Sequence, residues 1–322
     1  MNSQAPSSWG RVLRLVTVAG VWFALLQLCT RYAALALPRS VAAQLSLELY
    51  LVLVQLVTLP VGLVLAFALL KRDTFAELGL VRPRAKAVLL SVSLAPLLFA
   101  AASYLSVYLA LPTLLEEIRR GGAELVRNNA GQMGQAMRQS PVLLVLFWSV
   151  VVAPIGEELL FRGAVWAALW RTTQRFLPDR AEAAPSLPGE FIERSALLSA
   201  AKSVRDWLAR GGLATLVSGA LFGLLHWDMP GGQGIIRVTA TTCLGLACGI
   251  ARQASGSIVV PILVHAGFNL LGLAGARRWI VTESFPTHYM VPTLSTLLGA
   301  AGATLAIVLA LALRGRPARP ES

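Results

Sequence analysis

Six polar side chains stand in stretches that are otherwise apolar. Glu157 and Glu158 lie in APIGEELLFRGAVWAALW, with Arg162 four residues beyond Glu158. His226 ends GALFGLLH, four residues after Phe222, and His265 stands in VVPILVHAGFNLLGL, four residues before Asn269. Residues four apart share a helical face, and Glu followed by Arg is the favourable order for such a pair. A Glu158–Arg162 pair accounts for one acid and leaves Glu157 over, because adjacent helical residues point about 100° apart. A single buried histidine is ordinarily a hydrogen-bonded core residue. Two histidines, two glutamates, an arginine and an asparagine on three apolar segments are each costly alone, and one shared polar cavity satisfies them all.

The residue types define the chemistry. Carboxylate and imidazole together can take a proton from water, while imidazole and carboxamide can donate hydrogen bonds to a developing oxyanion. No Ser or Cys sits in a nucleophile motif, and no His-Glu-x-x-His zinc helix occurs. Hydrolysis by an activated water therefore ranks above a covalent mechanism.

The elements that carry these residues follow from composition. The chain has 322 residues, 56% hydrophobic and 14% charged, with a mean hydropathy of +0.67. Soluble proteins average about 25% charged residues, so an ordinary soluble domain and a disordered chain are both excluded. Apolar runs at about 12–37, 47–70, 86–111, 142–170, 213–229, 235–251, 257–275 and 290–313 predict an all-α polytopic membrane protein of about eight transmembrane helices around an intramembrane polar cavity. The fifth and sixth runs are short and contain glycine, which predicts a tilted, bent or re-entrant segment. No internal repeat is evident.

The net charge of +12 would point to nucleic acid in a soluble protein. Here the basic residues cluster in connections, where membrane orientation accounts for them and no nucleic-acid partner is expected. With the N-terminus inside, eighteen Lys and Arg fall in inner segments and seven in outer ones, which predicts both termini in the cytoplasm of a multi-pass cell-membrane protein. Ala34-Leu35-Ala36 resembles a leader cleavage site, but the preceding run is long and interrupted by Arg31, so a retained first helix is expected. Cys29, Cys243 and Cys248 lie in apolar runs without metal-ligand spacing and read as small hydrophobes. In the polar connection 171–212, the first half reads as loop. The second half puts Leu197, Ala201, Val204 and Leu208 on one face, as in a helix on the cytoplasmic membrane surface or a solvated connecting helix.

Glu157-Glu158-x-x-x-Arg162, Phe222-x-x-x-His226 and His265-x-x-x-Asn269, in this order on separate apolar segments, resemble the three motifs of the CPBP family of CAAX prenyl endopeptidases and bacteriocin-processing enzymes, also called ABI proteins. The resemblance covers about 142–275 and divides the chain into helices one to three (1–141), a CPBP-like catalytic core (142–275), and a final helix with a basic tail (276–322). It implies an intramembrane glutamic endopeptidase acting on membrane-associated or lipidated, CAAX-type peptide substrates, with a cavity reached from the cytoplasm. By the same analogy Glu157 and His226 activate water, and His265 and Asn269 stabilise the oxyanion. Glu158, Arg162 and Phe222 support the site, with Arg162 also a contact for a substrate carboxylate. No cofactor is implied; a zinc site of two His and one Glu is the secondary reading. The 42-residue connection 171–212 is long for the family. With the N-terminus inside, Glu157 falls toward the inner half and His226 toward the outer half of the bilayer, so they meet only if the fifth helix starts deep or tilts. A non-catalytic scaffold or immunity protein, and a proton relay or transporter, are the alternatives from other classes.

Overall fold

The computed structural model describes residues 9–32, 38, 40, 45–129, 137–176, 203–280, 282–284 and 290–292. Among these, seven helices are long and apolar enough to cross a membrane: α1 (Trp9–Tyr32), α2 (Leu47–Leu78), α3 (Ala85–Gly122), α4 (Val142–Phe176), α5 (Ser203–Leu224), α6 (Gly231–Ser255) and α7 (Val259–Ala276). The first seven expected spans are therefore present. The eighth begins differently. Met290–Pro292 (β2) is extended and pairs antiparallel with Thr282–Ser284 (β1), Glu283 opposite Val291; residues 293–313 lie outside the described residues, as do Ala34-Leu35-Ala36, Leu197 and Ala201.

Exposed Leu, Val and Phe side chains ring the helices, as the lipid-facing surface of a bundle requires. The inward surface is centred on α4. Its Leu159, Leu160, Phe161, Ala164, Ala167 and Ala168 pack against Leu15, Val18 and Trp22 of α1, Leu78 of α2, Phe222 of α5, Leu244 and Cys248 of α6 and Phe268 of α7. Lipid tails are as apolar as leucine, so close approach between helices depends on small residues and polar contacts. Gly62 of α2 receives the Trp22 ring, where a Cβ would collide with it.

The glycines of α5 and α6 serve the same purpose. A Cβ on Gly245 would lie 2.7 Å from the Gly219 carbonyl oxygen, and one on Gly249 would lie 3.2 Å from the Thr215 Cα. Gly223 packs likewise on Thr242. The small residues of the fifth and sixth runs thus bring together two helices that are each long and apolar enough to cross a membrane. α5 is bent, as its run predicts: Gly211, at φ +115°, breaks the helix where it passes the Trp166 ring.

Two boundaries differ from expectation with consequences for the site. α4 continues to Phe176 and α5 begins by Ser203, so the ends of the connection 171–212 belong to helices. At 1.5 Å per residue Glu157 lies about 22 Å from Val142 and about 28 Å from Phe176. His226 sits two residues past the end of α5. The two residues meet, with His226 Nε2 4.0 Å from Glu157 Oε2, on helices that are longer than their most apolar cores.

Candidate active site

α4 is not a uniform helix where it carries the two glutamates. Wider π-helical stretches, Phe147–Val152 and Leu159–Val165, flank the α-helical segment Ala153–Glu158. Pro154 offers no N–H to the preceding turn, which opens the ladder there, and each extra residue in a turn rotates the rest of the helix by about 100°. Gly156 faces Gln55 of α2, whose carboxamide a Cβ would strike.

Glu158 and Arg162 are both fully buried, with Arg162 Nη1 donating to Glu158 Oε1 at 3.2 Å. His265 Nδ1 donates to the same carboxylate oxygen at 2.8 Å, since a carboxylate can only accept. The other ring nitrogen, His265 Nε2, faces Glu157 Oε2 at 3.9 Å. His265 thus stands between the two glutamates, and the acid that an Arg162 pair leaves over has its own partners.

His226 reaches Glu157 from the other side. Its Nε2 is 4.0 Å from Glu157 Oε2, and its Nδ1 is 2.7 Å from the Phe222 carbonyl oxygen. A carbonyl cannot donate, so that hydrogen bond places the proton on Nδ1 and leaves the Nε2 lone pair toward Glu157. Glu157 and His226 keep 20% and 21% of their side-chain surface exposed, whereas Glu158 is sealed. The outer pair can meet water; the inner pair holds it in place.

Phe222 is the hub of the packing. Its fully buried ring lies edge-on to His265 at 5.6 Å and tilted on His226 at 4.6 Å, with the Arg162 guanidinium 4.6 Å above its face. Asn269, one turn beyond His265, donates from Nδ2 to the Ser149 carbonyl at 2.7 Å. A carboxamide nitrogen carries two hydrogens, so the second is left for another acceptor.

The structure brings six of the seven residues singled out by sequence into mutual contact, leaves the Asn269 carboxamide on the Ser149 carbonyl one turn away from His265, and changes the expected part of Arg162. Arg162 is fully buried, with Nη2 on the Gly245 carbonyl at 2.7 Å. Its guanidinium has no exposed surface and is held by Glu158 and the Gly245 carbonyl through its two terminal nitrogens. The supporting groups that sequence reasoning missed are Gly245 and Ser149, through their carbonyls, together with Gln55, Arg237 and Arg252. Arg237 pairs with Asp228 at 2.9 Å beside the His226 turn, and Arg252 Nε donates to the Arg162 carbonyl at 3.2 Å. Gln55 and Arg237 each interrupt an apolar run, the same signal that marks Glu157; the carbonyls carry no side-chain signal.

A zinc ion bound at about 2.0–2.1 Å by tetrahedral donors needs them roughly 3.3 Å apart. Glu157 Oε2 is 3.9 and 4.0 Å from the two imidazole nitrogens, and among the described residues no cluster of three or more His, Cys, Asp or Glu is arranged to hold a metal. The donors as they stand do not close on zinc.

Residues 139–271 match the family model described as Type II CAAX prenyl endopeptidase Rce1-like. The match spans all three motifs and supports membership of the CPBP/CAAX protease family. No curated protein and no solved structure matches the chain.

Proposed function

We propose that the Rce1-like segment of this multi-pass membrane protein makes it an intramembrane endopeptidase in which Glu157 and His226 activate a water molecule. The observation that carries this reading is the placement of one partly exposed carboxylate, Glu157, within 4.0 Å of two imidazole nitrogens whose opposite ring nitrogens are both tied down. A ring held at one nitrogen presents the other in a fixed direction, which is what preorganised acid–base catalysis requires.

In this mechanism the water lies between Glu157 and His226 Nε2 and gives a proton to the carboxylate as its oxygen attacks the scissile carbonyl carbon. The carbonyl electron pair moves to the oxygen, and the oxyanion is met by the Asn269 N–H and by His265 when its Nε2 carries a proton. Collapse breaks the C–N bond, and the proton held by Glu157 passes to the leaving amine. Glu158, Arg162 and Phe222 touch none of the reacting atoms; they position His265 and His226. No metal takes part in this scheme.

The test is cleavage of a peptide library by the protein purified in detergent, wild type beside Glu157→Gln. Cleavage by the wild type and none by the variant supports the proposal. A folded wild type that cleaves nothing across the library, or an active Glu157→Gln, overturns it in favour of a scaffold or a proton pathway.

A further inference from the structure

We infer that Arg252 is a positioning residue of the site: it holds the main chain of α4 and the approach to α7 in the register that sets Glu158 against His265. Its consequence for catalysis rests on the protease reading above, whereas the positioning itself does not.

Arg252 stands in the last turn of α6 and is only 4% exposed. Each of its three nitrogens donates to a main-chain carbonyl. Nε donates to Arg162 at 3.2 Å, Nη2 to Glu77 at 3.2 Å, and Nη1 to Gly256. The guanidinium carbon lies 5.1 Å from the centre of the Trp166 ring. Gly79, at φ +73°, takes the chain beyond α2 past the guanidinium, which a Cβ there would strike. A buried guanidinium is costly unless its donors are met. Here they are met by backbone oxygens of three separate segments, so the side chain fixes backbone.

The bond to α4 falls where the helix has withdrawn its own donor. In an α-helix the Trp166 N–H would bond the carbonyl four residues back, that of Arg162. At the end of the π-helical stretch Leu159–Val165 it bonds the carbonyls of Phe161 and Gly163 and passes over the one between them. Arg252 Nε stands in for that N–H at the Arg162 carbonyl. A buried carbonyl without a donor is costly, and π-helical turns are rare departures from the α ladder. The guanidinium therefore favours the π-helical turn over a plain α-helical one.

The register of that turn matters to the site. One extra residue in a turn rotates the two sides of the helix by about 100° relative to each other. Beyond the stretch, Trp166 is buried and its Nε1 donates to Thr215 Oγ1 at 3.1 Å, which fixes the far side. Relaxation to a plain α-helix would then turn the near side, where Glu158 stands, away from His265.

The second tie runs to α7. Gly256 follows α6 directly, at φ +69°, and its carbonyl accepts from Arg252 Nη1. Two residues on, the Ile258 N–H donates to the Gly79 carbonyl at 2.8 Å, and α7 begins at Val259, on the helix that carries His265. Arg252 thus touches the backbone on both sides of the 2.8 Å contact between His265 and Glu158. It acts on one through the turn after Glu158 and on the other through the segment before α7.

The test uses the full chain purified in detergent with ¹⁵N-labelled histidine. The sequence has three histidines, His226, His265 and His288, and His265→Gln identifies the His265 signals. Arg252→Met keeps the stem and removes the donors; Arg252→Lys keeps one donor group. Gly62→Ala, which disturbs the Trp22 seam of α1 and α2 instead, is the control for general loosening. The expected result is that Arg252→Met displaces the His265 Nδ1 resonances from their carboxylate-bonded position and Arg252→Lys displaces them less. Gly62→Ala is expected to lower the unfolding temperature and leave them in place. Unchanged His265 resonances in folded Arg252→Met, or the same displacement in Gly62→Ala, overturn the proposal. Should Arg252→Met yield no folded protein, Arg252→Lys decides by the same criterion. On a peptide that the wild type cleaves, Arg252→Met is expected to lose turnover about 100-fold, the effect of a misplacement of about 1 Å, with KM unchanged and Arg252→Lys in between. Wild-type turnover per folded molecule overturns the catalytic consequence. Absence of cleavage by the wild type defeats the protease reading, while the His265 resonances still report whether Arg252 positions the site.

Discussion

His265 Nδ1 lies 2.8 Å from Glu158 Oε1, and this contact joins residues 107 apart in the chain. It locks the imidazole of α7 to the acid of α4, and Arg162 donates to the same oxygen. The division between a partly exposed glutamate and a sealed one follows from this contact, and so do the different outcomes expected on changing each.

Glu157→Gln keeps size and removes the basic carboxylate. It is expected to abolish turnover and leave the folded protein intact, because Glu157 is the partly exposed member and carries no ion pair to arginine. Cleavage rate read beside thermal unfolding in detergent checks this.

Glu158→Gln is expected to lose folded protein as well as activity. Removing one member of a buried pair costs about 3–5 kcal/mol, and here the loss falls on Arg162 and His265 together. A stable but inactive Glu158→Gln, with an unstable Glu157→Gln, would exchange the two assignments.

Asn269→Ala deletes the proposed oxyanion donor. Such donors are worth about 100- to 1000-fold in turnover, roughly 2.7–4 kcal/mol. The variant is expected to lose turnover by that factor with little change in substrate affinity, read from kcat and KM separately.

Gly245→Ala tests the seam between α5 and α6. The added methyl would lie 2.7 Å from the Gly219 carbonyl oxygen and 3.1 Å from Arg162 Nη2, both of them fixed groups. Overpacking of this kind costs about 1–3 kcal/mol, so the midpoint of thermal unfolding is expected to fall, whereas Gly20→Ala, with open space around its Cβ position, is expected to leave it unchanged.

Strong chelation is expected to leave cleavage intact, because the proposed water is activated by carboxylate and imidazole. Loss of activity with removal of stoichiometric zinc, and recovery on its return, would assign the step to a metal.

Much of this was legible in the sequence because it depends on local spacing. The apolar runs marked seven helices that the structure contains, and the four-residue intervals marked Glu158 with Arg162, Phe222 with His226 and His265 with Asn269 as same-face pairs; the first two are in contact. Gln55 and Arg237 carried the same signal, a polar residue within an apolar run, and passed unnoticed because no motif partner stood four residues away. Periodicity reports only neighbours on one helix. Which histidine ring faces which glutamate, the carbonyls of Gly245 and Ser149 that anchor Arg162 and Asn269, and the burial of Arg162 all depend on contacts between helices. Those were decided by the tertiary structure: in a bilayer every helix is equally content against lipid, so small residues and hydrogen bonds between distant segments, which leave no periodic trace, set how the helices meet.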